Sequence, residues 1–294
     1  MVTCSPSNLP IPLIENEALA TTMLPASRMT ITALLTCFNR KEKTLACLRN
    51  LEMQDLPGTD LRYVVVDDGS TDGTGEAVKH EFPAARMLRG NGSLYWCGGM
   101  RVAWSHAAEE DPDYYLMVND DTLLDPGALQ VLLQLAPSPQ DRVIALAAIR
   151  DPETGQATYG GQRDISGLME PDGRAHECDT LNGNAVLVPR AVYQEIGMLH
   201  GAYSHAMGDL DYGYLAKRHG IKIIQSPEFL GTCPRNSRQN TWMDRSLGRR
   251  KRLRLLRSKK GLPFSEWMTY NRRNAGWSWP WKTVSPYIRV LLGL

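Results

Sequence analysis

The sequence lacks the long apolar run and the paired cysteines that mark several classes of protein. No apolar stretch reaches the ~18 residues of a membrane-spanning helix, and the N-terminus has no basic segment followed by an apolar one, as a secretory signal would. The six cysteines are scattered without a C-x-x-C pair, which indicates free thiols in a reducing compartment and argues against a disulfide framework or a zinc knuckle. We therefore expect a cytoplasmic protein, either soluble or peripheral to a membrane.

Short apolar segments alternate with helical patterns along the first half of the chain. Segment 29–38 is β-branched and apolar, as a buried strand is, whereas 41–54 carries leucines at helical spacing. Further strands are predicted over 61–70, 85–90, 114–121, 142–150, 181–190 and 221–227, and further helices over 70–82, 98–110 and 209–220 and from Pro126. This alternation predicts an α/β fold with a mostly parallel central sheet flanked by helices.

Polar residues collect where three of these strands end, which is where ligands of such sheets bind. These residues are Thr36 and Asn39, Asp67 and Asp68, and Asn119, Asp120 and Asp121. An acidic pair can cap a turn, or it can accept hydrogen bonds from a base and a ribose. Neighbouring carboxylates such as Asp120 and Asp121 repel each other unless a cation compensates them, and Mg²⁺ or Mn²⁺ brings phosphate oxygens to such ligands. Two acidic pairs at one sheet edge favour a metal–phosphate site over two capped turns.

A third acidic cluster, Gly208-Asp209-Leu210-Asp211, opens a predicted helix. Acidic residues stabilise a helix N-terminus, and this interpretation would suffice for the cluster alone. Beside the other two clusters, a carboxylate here becomes a candidate general base that removes a proton from a hydroxyl group.

The acidic clusters belong to six motifs that follow one another along the chain. They are LLTCFNR (34–40), VVVDDGSTDGT (64–74), GNGSLYWCGGM (90–100), LMVNDDTLL (116–124), LNGNAVLVPR (181–190) and GDLDYGYLAKRHGIKI (208–223). In this order they resemble family 2 glycosyltransferases of the GT-A fold, especially the rhamnosyltransferase-like branch that acts on bacterial surface polysaccharides. The resemblance covers about residues 30–235.

This resemblance implies a division of the chain. Residues 29–235 would form the GT-A catalytic domain, with a nucleotide-binding half over 29–150 and an acceptor half over 151–235. A loose, Pro/Ser-rich arm would precede it over 1–28, and a helical C-terminal extension would follow it over 236–294.

The resemblance also implies how the nucleotide-sugar donor is held. Thr36 would contact the nucleoside, Asp68 would bond the pyrimidine base, and Asp67 would support the turn. The loop that ends at Trp96 would wrap the donor, although Trp96 suits a packed core equally well. The implied donor-binding residues are Thr36, Asn39, Asp67, Asp68, Asn91, Gly92, Trp96 and Asp120.

The D-x-D motif of the family implies a divalent metal, Mn²⁺ or Mg²⁺, on Asp121, with Asp120 near the ribose or the diphosphate. Here the first position is Asn119, which keeps an oxygen ligand but removes one charge from the cation site. Many relatives also carry a metal-binding histidine where this chain has Cys233. We therefore expect the chain to bind a divalent metal, with weaker ligands at these two positions than its relatives have.

The E-D-x-D motif of the family implies the catalytic base. Gly208 replaces the usual Glu, so Asp209 is the candidate base and Asp211 is the alternative or a supporting residue. The acceptor pocket is implied at Asn182, Gly183 and Asn184.

The expected activity is inverting transfer of a sugar from dTDP-rhamnose or a UDP-sugar to a hydroxyl of a glycan or lipid-linked acceptor. Two alternatives remain open. A non-catalytic nucleotide-sugar-binding module would keep Asp68 but would not need Asp209. A nucleotidyltransferase also uses acidic pairs, but it has an early glycine-rich phosphate loop, and the segment TCFNRKEK (36–43) contains no glycine. A dehydrogenase is disfavoured because no G-x-G-x-x-G follows the first strand.

The C-terminal segment is basic and then rich in tryptophan. Residues 235–260 contain eleven Lys or Arg and one Asp, although the whole chain has a net charge of only +1. Basic residues beside Trp267, Trp277, Trp279 and Trp281 and an apolar tail are typical of a segment at a membrane surface, here over 249–294 on the inner face of the plasma membrane. A polyprenyl-diphosphate-linked acceptor would explain it. Packing on the catalytic domain or in a homodimer is the alternative, and no motif supports nucleic-acid binding.

Overall fold

The computed structural model describes residues 28–163 and 167–294. The predicted loose arm lies outside these residues except for Arg28. The strands are β1 (Met29–Cys37), β2 (Thr59–Asp67), β3 (Arg86–Arg89), β4 (Tyr114–Val118), β5 (Leu123–Leu124), β6 (Val143–Arg150), β7 (Ala157–Tyr159), β8 (Gly161–Arg163), β9 (Gly167–Leu168), β10 (His176–Glu177), β11 (Thr180–Leu181), β12 (Ala185–Pro189) and β13 (Lys222–Thr232). The helices are α1 (Lys41–Glu52), α2 (Thr74–Glu81), α3 (Tyr95–Ala108), α4 (Ala128–Leu135), α5 (Arg190–Ile196), α6 (Gly208–Arg218), α7 (Arg249–Leu256), α8 (Phe264–Asn274) and α9 (Trp279–Leu292).

A mixed sheet runs through the catalytic part of the chain in the order β10-β13-β6-β12-β4-β1-β2-β3. Strands β3, β2, β1 and β4 run parallel to one another, and β6 and β13 run parallel to each other. Strand β12 runs antiparallel to both β4 and β6. The chain reaches β12 through short strands and not through a crossover helix, the usual connection between parallel strands. The predicted mostly parallel sheet is thus confirmed, with β12 inverted in its middle and the short strands β5, β7 and β10 added antiparallel to β6 or β13.

Both faces of the sheet are covered by helices. Alternate residues of β1 show the division: Ile31 and Leu35 pack into the core on the side of α1, α2 and α4, whereas Leu34 packs into the core on the side of α3, α5 and α6. Strand β4 is buried over its whole length, as expected for a central strand covered on both faces. This arrangement leaves the strand ends and their loops as the part of the sheet open to a ligand.

Several element boundaries differ from the prediction: the strand predicted over 181–190 is divided into β11 and β12, and the helix predicted over 70–82 begins at Thr74. Two further differences have a physical reason. Helix α3 begins at Tyr95 and not at Gly98, because the backbone N–H of Tyr95 is held at the strand end by Asp68. Strand β13 continues to Thr232, well beyond the predicted end at Pro227, and the register with β6 shifts near that proline. A proline lacks the N–H needed for a regular ladder, so a bulge accommodates it.

The C-terminal extension forms three helices that pack on the catalytic domain and on each other. Helix α8 lies against α6, where Arg273 pairs with Asp211, and α9 contacts both α7 and α8. Within the described residues, no helix has the length and apolar character needed to cross a membrane. The five cysteines in this part of the chain are free, as predicted, and Cys4 lies outside it.

Candidate active site

A cavity of about 480 Å³ opens at the carboxyl ends of β1, β2 and β4. Its walls bring together residues from three of the predicted clusters, which lie far apart in the sequence. The predicted residues that line the cavity are Thr36, Asp68, Gly92, Trp96, Asn119, Asp120 and Asp121. The strand-end residues therefore share one cleft.

Asp68 organises the loop that follows β3. Its carboxylate accepts hydrogen bonds from the backbone N–H groups of Gly92 (2.9 Å), Leu94 (3.2 Å) and Tyr95 (2.9 Å). A Cβ at Gly90 would lie only 2.6 Å from Oδ1 of Asp68, so a glycine is needed for this close approach. The carboxylate thus shapes the wall of the cavity that it also lines.

Asp67 and Asn39 hold the neighbouring loops in place. Oδ1 of Asp67 accepts the N–H of Ser70 at 2.8 Å, the turn support expected of this residue. Oδ1 of Asn39 accepts the N–H of Thr71 at 2.7 Å, and the N–H of Asn39 donates to Oγ of Ser70 at 2.9 Å. Asn39 lies outside the cavity lining, so the structure shows it joining the loops after β1 and β2.

Asn91 likewise shapes its own loop. Its Oδ1 accepts hydrogen bonds from the N–H (3.1 Å) and the hydroxyl (2.6 Å) of Ser93. Asn91 is exposed and lies outside the lining, whereas Gly92 lines the cavity. Thr36 lines it from the end of β1, where a Cβ at Gly99 would come within 2.1 Å of its hydroxyl oxygen.

Asp120 and Asp121 are paired with Arg40, which the sequence analysis did not single out. Nη1 of Arg40 lies 2.8 Å from Oδ1 of Asp120, and Nη2 donates to Oδ2 of Asp121. Lys43 adds a more distant cation, 3.8 Å from Oδ2 of Asp121. The charge repulsion between the two carboxylates is therefore compensated by a guanidinium. The signal was present in the sequence, because Arg40 ends the motif LLTCFNR.

Burial changes the ionisation of Asp120. Its loss of solvent raises its pKa to about 6, although the positive charge of Arg40 acts in the opposite direction. The hydroxyl of Thr44 also donates to Oδ2 of Asp120 at 3.2 Å and favours the charged form. Asp120 is thus a buried carboxylate that depends on nearby cations to stay ionised.

Cys233 stands at the position where the resemblance implies a metal-binding histidine in many relatives. Its Sγ lies 3.5 Å from Oδ1 of Asp121, at the end of β13. Burial, followed by the charge of Asp121, raises the pKa of this thiol to about 12. The replacement therefore places a protonated thiol beside the predicted metal-binding carboxylate.

Trp96 joins this cavity to the segment predicted as the acceptor half, 151–235. Its indole N–H donates to Oδ1 of Asn119 at 2.7 Å, so the amide that replaces the first Asp of the motif has a partner. On its other side, a Cβ at Gly183 would lie 2.5 Å from the Trp96 ring and 3.5 Å from Cβ of Asp209. Trp96 is thus both packed and part of the cavity wall.

Asp209 lies behind this ring, at the first turn of α6. Its Oδ2 accepts the N–H of Gly183 at 3.0 Å, and its Oδ1 accepts its neighbour Leu210 N–H at 2.9 Å. Desolvation raises the pKa of Asp209, and these two backbone hydrogen bonds oppose that rise. Asp209 contacts the residues around Trp96 but is not itself part of the cavity wall.

Asp211 faces away from the cavity. Its side chain is buried, and it accepts hydrogen bonds from Nε of Arg273 (2.9 and 3.1 Å) and from the side-chain amide of Asn274 (2.7 Å). Of the two roles expected for Asp211, the structure therefore shows a supporting one: it anchors α8.

The three predicted acceptor residues lie in two different environments. Gly183 binds Asp209 as described, and Asn182 accepts a hydrogen bond from the side-chain amide of Gln162 at 3.2 Å and also favours the charged form of Asp209. Asn184 is buried and directs its amide to Thr122 at 3.4 Å. Asn182 and Gly183 thus lie beside the candidate base, whereas Asn184 supports the strand end beneath it.

Eight residues of the cavity wall were not among the predicted site residues. Tyr95 has a left-handed backbone with φ of 55°, uncommon for a residue other than glycine and typical of functional sites. His205 precedes α6, and burial followed by the charge of Lys260 lowers its pKa. The unpredicted lining residues are Cys37, Phe38, Arg40, Tyr95, Tyr159, His205, Asn236 and Lys260.

Comparisons with known proteins agree with this architecture. The profile of glycosyl transferase family 2 matches residues 32–197, more than half of the chain. No curated protein sequence matches significantly.

Solved structures share the fold at low sequence identity. The mannosyltransferase PcManGT from Pyrobaculum calidifontis, in complex with GDP-Man and Mn²⁺, is 17% identical over 89% of this chain and 74% of its own, with a TM-score of 0.55. TarS 1–349 from S. aureus is 14% identical over 89% of this chain and 81% of its own, with a TM-score of 0.53. The structure of TarS 1–349 in complex with UDP is 15% identical over 83% of this chain and 70% of its own, also with a TM-score of 0.53.

The profile match and the shared fold agree with the cleft at the strand ends. The chain belongs to glycosyl transferase family 2 and is a GT-A glycosyltransferase that uses a nucleotide-sugar donor.

Proposed function

We propose that the protein transfers a sugar, with inversion, from dTDP-rhamnose or a UDP-sugar to a hydroxyl of a glycan or lipid-linked acceptor in bacterial surface polysaccharide synthesis. The observation that carries this proposal is the single cavity that joins Asp68, Asp120 and Asp121 with the cation Arg40. Thr36, Asp68 and Gly92 form the nucleoside end, and the Arg40 cluster forms the diphosphate end. The rhamnose donor rests on the resemblance of the motifs to the rhamnosyltransferase branch.

The residues present suit a divalent metal. Asp120 and Asp121 offer carboxylate oxygens at the cavity wall, and these are the ligands that Mg²⁺ and Mn²⁺ prefer. The described residues contain no group of three acidic, His or Cys side chains arranged as a preformed site. In enzymes that act on phosphorylated substrates, Mg²⁺ is commonly bound by one or two carboxylates together with phosphate oxygens of the substrate. We propose Asp121 as the metal ligand, beside Asp120; the metal would stabilise the charge of the departing diphosphate.

Arg40 and Asp209 carry the steps assigned to the protein itself. Arg40 already lies between the two carboxylates and can shift its guanidinium to a phosphate oxygen when the donor enters. Asp209 removes the proton from the acceptor hydroxyl while that oxygen attacks the anomeric carbon from the face opposite the leaving group. Its raised pKa makes it a stronger base than an exposed aspartate. Because the Trp96 ring and Asp209 both lie against Gly183, we expect the Trp96 ring to shift when the acceptor binds.

The product identifies the reaction class. Purified protein is incubated with dTDP-rhamnose, UDP-sugars and GDP-mannose, each with Mn²⁺ and a hydroxyl acceptor, and the released nucleotide is analysed. We expect a nucleoside diphosphate to be released from one donor. Release of a sugar 1-phosphate, with the nucleoside monophosphate group joined to the acceptor, would indicate nucleotidyl chemistry. No product from any donor that binds would indicate a binding module.

We also propose that the C-terminal extension rests on an anionic membrane surface, where a polyprenyl-linked acceptor would be found. Helix α9 and the turn before it expose an apolar stripe at spacings of four and three residues, formed by Trp277, Trp281, Val284, Ile288 and Leu291. Trp277 is 95% exposed and Trp281 is 65% exposed. Exposed apolar stripes of this kind mark interaction sites.

Basic side chains border the stripe. Nη2 of Arg252 donates to the carbonyl of Leu294 at 2.9 Å, so α7 lies beside the end of α9. The exposed basic residues of α7 and its C-terminal cap are Arg249, Arg250, Lys251, Arg254 and Arg257. An apolar face with tryptophan next to basic residues is typical of helices that lie in the interface of anionic lipids.

Vesicle flotation tests this surface. The full chain should float with vesicles of anionic phosphatidylglycerol and should float less with neutral phosphatidylcholine, whereas the double variant Trp277→Ala/Trp281→Ala should remain in solution. Met53→Ala, which removes an exposed apolar side chain at the end of α1, is the matched control and should float normally. Equal flotation of the double variant and the wild type would exclude the proposed surface.

A further inference from the structure

A second cavity of about 280 Å³ adjoins the donor cavity. Tyr95 and Lys260 line both cavities. The donor cavity, at about 480 Å³, already lies in the range of ~300 to 1,000 Å³ that holds a complete small-molecule ligand. The second cavity is therefore additional space, of a size suited to a smaller unit. Apart from Tyr95, its walls belong to the C-terminal extension: Asn240, Thr241, Trp242, Leu255, Ser258, Lys259 and Lys260.

The chemistry of these walls suits a charged sugar. Tyr95 and Trp242 offer aromatic surface for the apolar face of a sugar ring, and Asn240, Thr241 and Ser258 offer hydrogen-bonding groups for its hydroxyls. Two lysines add positive charge, and the described lining includes no carboxylate. A neutral sugar would need only the aromatic and the hydrogen-bonding residues. The two lysines therefore indicate that the sugar carries an anionic group.

The two lysines are not equivalent. Nζ of Lys259 lies 2.8 Å from Oε1 of Glu266. The same carboxylate accepts hydrogen bonds from the N–H (2.9 Å) and the hydroxyl (2.8 Å) of Ser204. Lys259 therefore helps to fix the extension to the loop before α6. Lys260 lies at the junction of the two cavities and is the cation best placed to meet a bound anion.

The backbone around the junction is held in place. A Cβ at Gly261 would lie 2.3 Å from the carbonyl oxygen of Leu255 and 2.5 Å from that of Leu256, so only glycine fits directly after Lys260. On the other side of the junction, the strained backbone of Tyr95 is fixed by the carboxylate of Asp68. A site whose walls are fixed before binding loses less entropy when the ligand arrives.

We propose that this second cavity is an acceptor subsite that takes a sugar unit carrying a phosphate or carboxylate group, and that Lys260 binds the anion. The assignment of the cavity to the acceptor rests on the proposed function, because the nucleotide-sugar donor fills the neighbouring cavity. The C-terminal extension thereby becomes part of the active site and determines which acceptor is used.

The test is a calorimetric titration of the full chain saturated with UDP and Mn²⁺. Two probes are compared: glucose 1-phosphate, and methyl glucoside as the neutral sugar. We expect glucose 1-phosphate to bind at least about tenfold more tightly, since a charge-assisted hydrogen bond is added. Lys260→Ala should reduce this preference to less than about threefold, and Trp242→Ala should weaken the binding of both probes. Lys79→Ala, which removes an exposed basic residue of α2 outside both cavities, is the matched control and should keep the wild-type preference.

Three results would overturn the proposal. The first is equal affinity for the two probes, and the second is an unchanged preference in the Lys260→Ala variant. The third is displacement of UDP by glucose 1-phosphate, which would place the anion in the donor cavity. Because the titration needs no sugar transfer, the binding result stands apart from the proposed function: a protein that binds both ligands without transferring any sugar would remove the activity and keep the subsite.

Discussion

The predicted nucleotide-binding half (29–150) and the C-terminal extension (236–294) contribute residues to one cleft in different ways. In the first half, the functional side chains sit at the ends of parallel strands, so the sheet topology alone brings Asp68 and Asp121 together. The extension has no such scaffold, and its position depends on a few contacts, such as the ion pair between Arg273 and Asp211. In the function that we propose, donor binding is built into the sheet, whereas acceptor choice and docking are built into an attached element.

The largest expected effect tests whether the chemistry resides in the catalytic domain. Asp209→Asn removes the proposed base while keeping a side chain of similar size, so kcat should fall by roughly 10²- to 10⁴-fold with little change in donor affinity. Steady-state kinetics with the donor identified above measure this change. Glu76→Gln, which neutralises an exposed acid in the first turn of α2, should leave kcat unchanged. A kcat within tenfold of the wild type in Asp209→Asn would reject the base.

The next effect tests how the extension is attached. Arg273→Ala leaves the buried carboxylate of Asp211 without its cation and should reduce the free energy of unfolding by about 3 kcal/mol. This is the low end of the range for buried pairs, because the Arg273 side chain is 29% exposed. Urea unfolding measures the change.

The neighbouring Arg272 is the matched control for that variant. Its guanidinium lies 5.6 Å from the ring of Trp279, a contact worth only about 0.5 to 1 kcal/mol at an exposed site. Arg272→Ala should therefore destabilise the protein much less than Arg273→Ala. Equal losses in the two variants would show that the Asp211 pair is not the anchor.

The smallest expected effect is a shift in pH dependence. Desolvation raises the pKa of Asp209, and a general base works only when it is deprotonated. Activity should therefore be present at neutral pH and should be lost as the pH falls, with the acid limb of kcat above the ordinary aspartate pKa of about 3.9. The residual activity of Asp209→Asn should lack this limb. An acid limb at or below the ordinary value would show that Asp209 is not desolvated in the working enzyme.

The sequence predicts most of the fold and the acidic part of the site. Apolar runs followed by polar residues locate the strand ends, and the sheet topology then explains why Thr36, Asp68 and Asp121 converge. The metal-site departures at Asn119 and Cys233 are also visible in the sequence, but their consequences are not. Only the structure shows that Asn119 accepts the indole N–H of Trp96 and that the Cys233 thiol touches Asp121.

The remaining features depend on tertiary contacts that have no periodic signature. Lys260 is one of many basic residues in its segment, and only the turn at Gly261 brings it to the donor cavity. His205 and Tyr95 reach the wall through loop conformations. Asp211 shows most clearly why such contacts are not predicted from the sequence. Its motif allowed a catalytic or a supporting role, and its partner Arg273 lies 62 residues away in the chain.

The central claim is that the strand-end carboxylates of the first half hold the nucleotide together with a metal. Thermal unfolding with UDP, dTDP or GDP, with and without Mn²⁺, tests this claim most directly, because a ligand that binds only the native state raises the melting temperature. In the wild type, we expect one nucleotide with Mn²⁺ to raise Tm by more than the sum of the two separate effects. In Asp121→Ala, that excess should disappear, whereas Asp125→Ala, which alters a carboxylate outside the cavity wall, should retain it. If nucleotide and Mn²⁺ together raise the Tm of Asp121→Ala beyond the sum of their separate effects as much as in the wild type, the claim that Asp121 holds the metal is wrong.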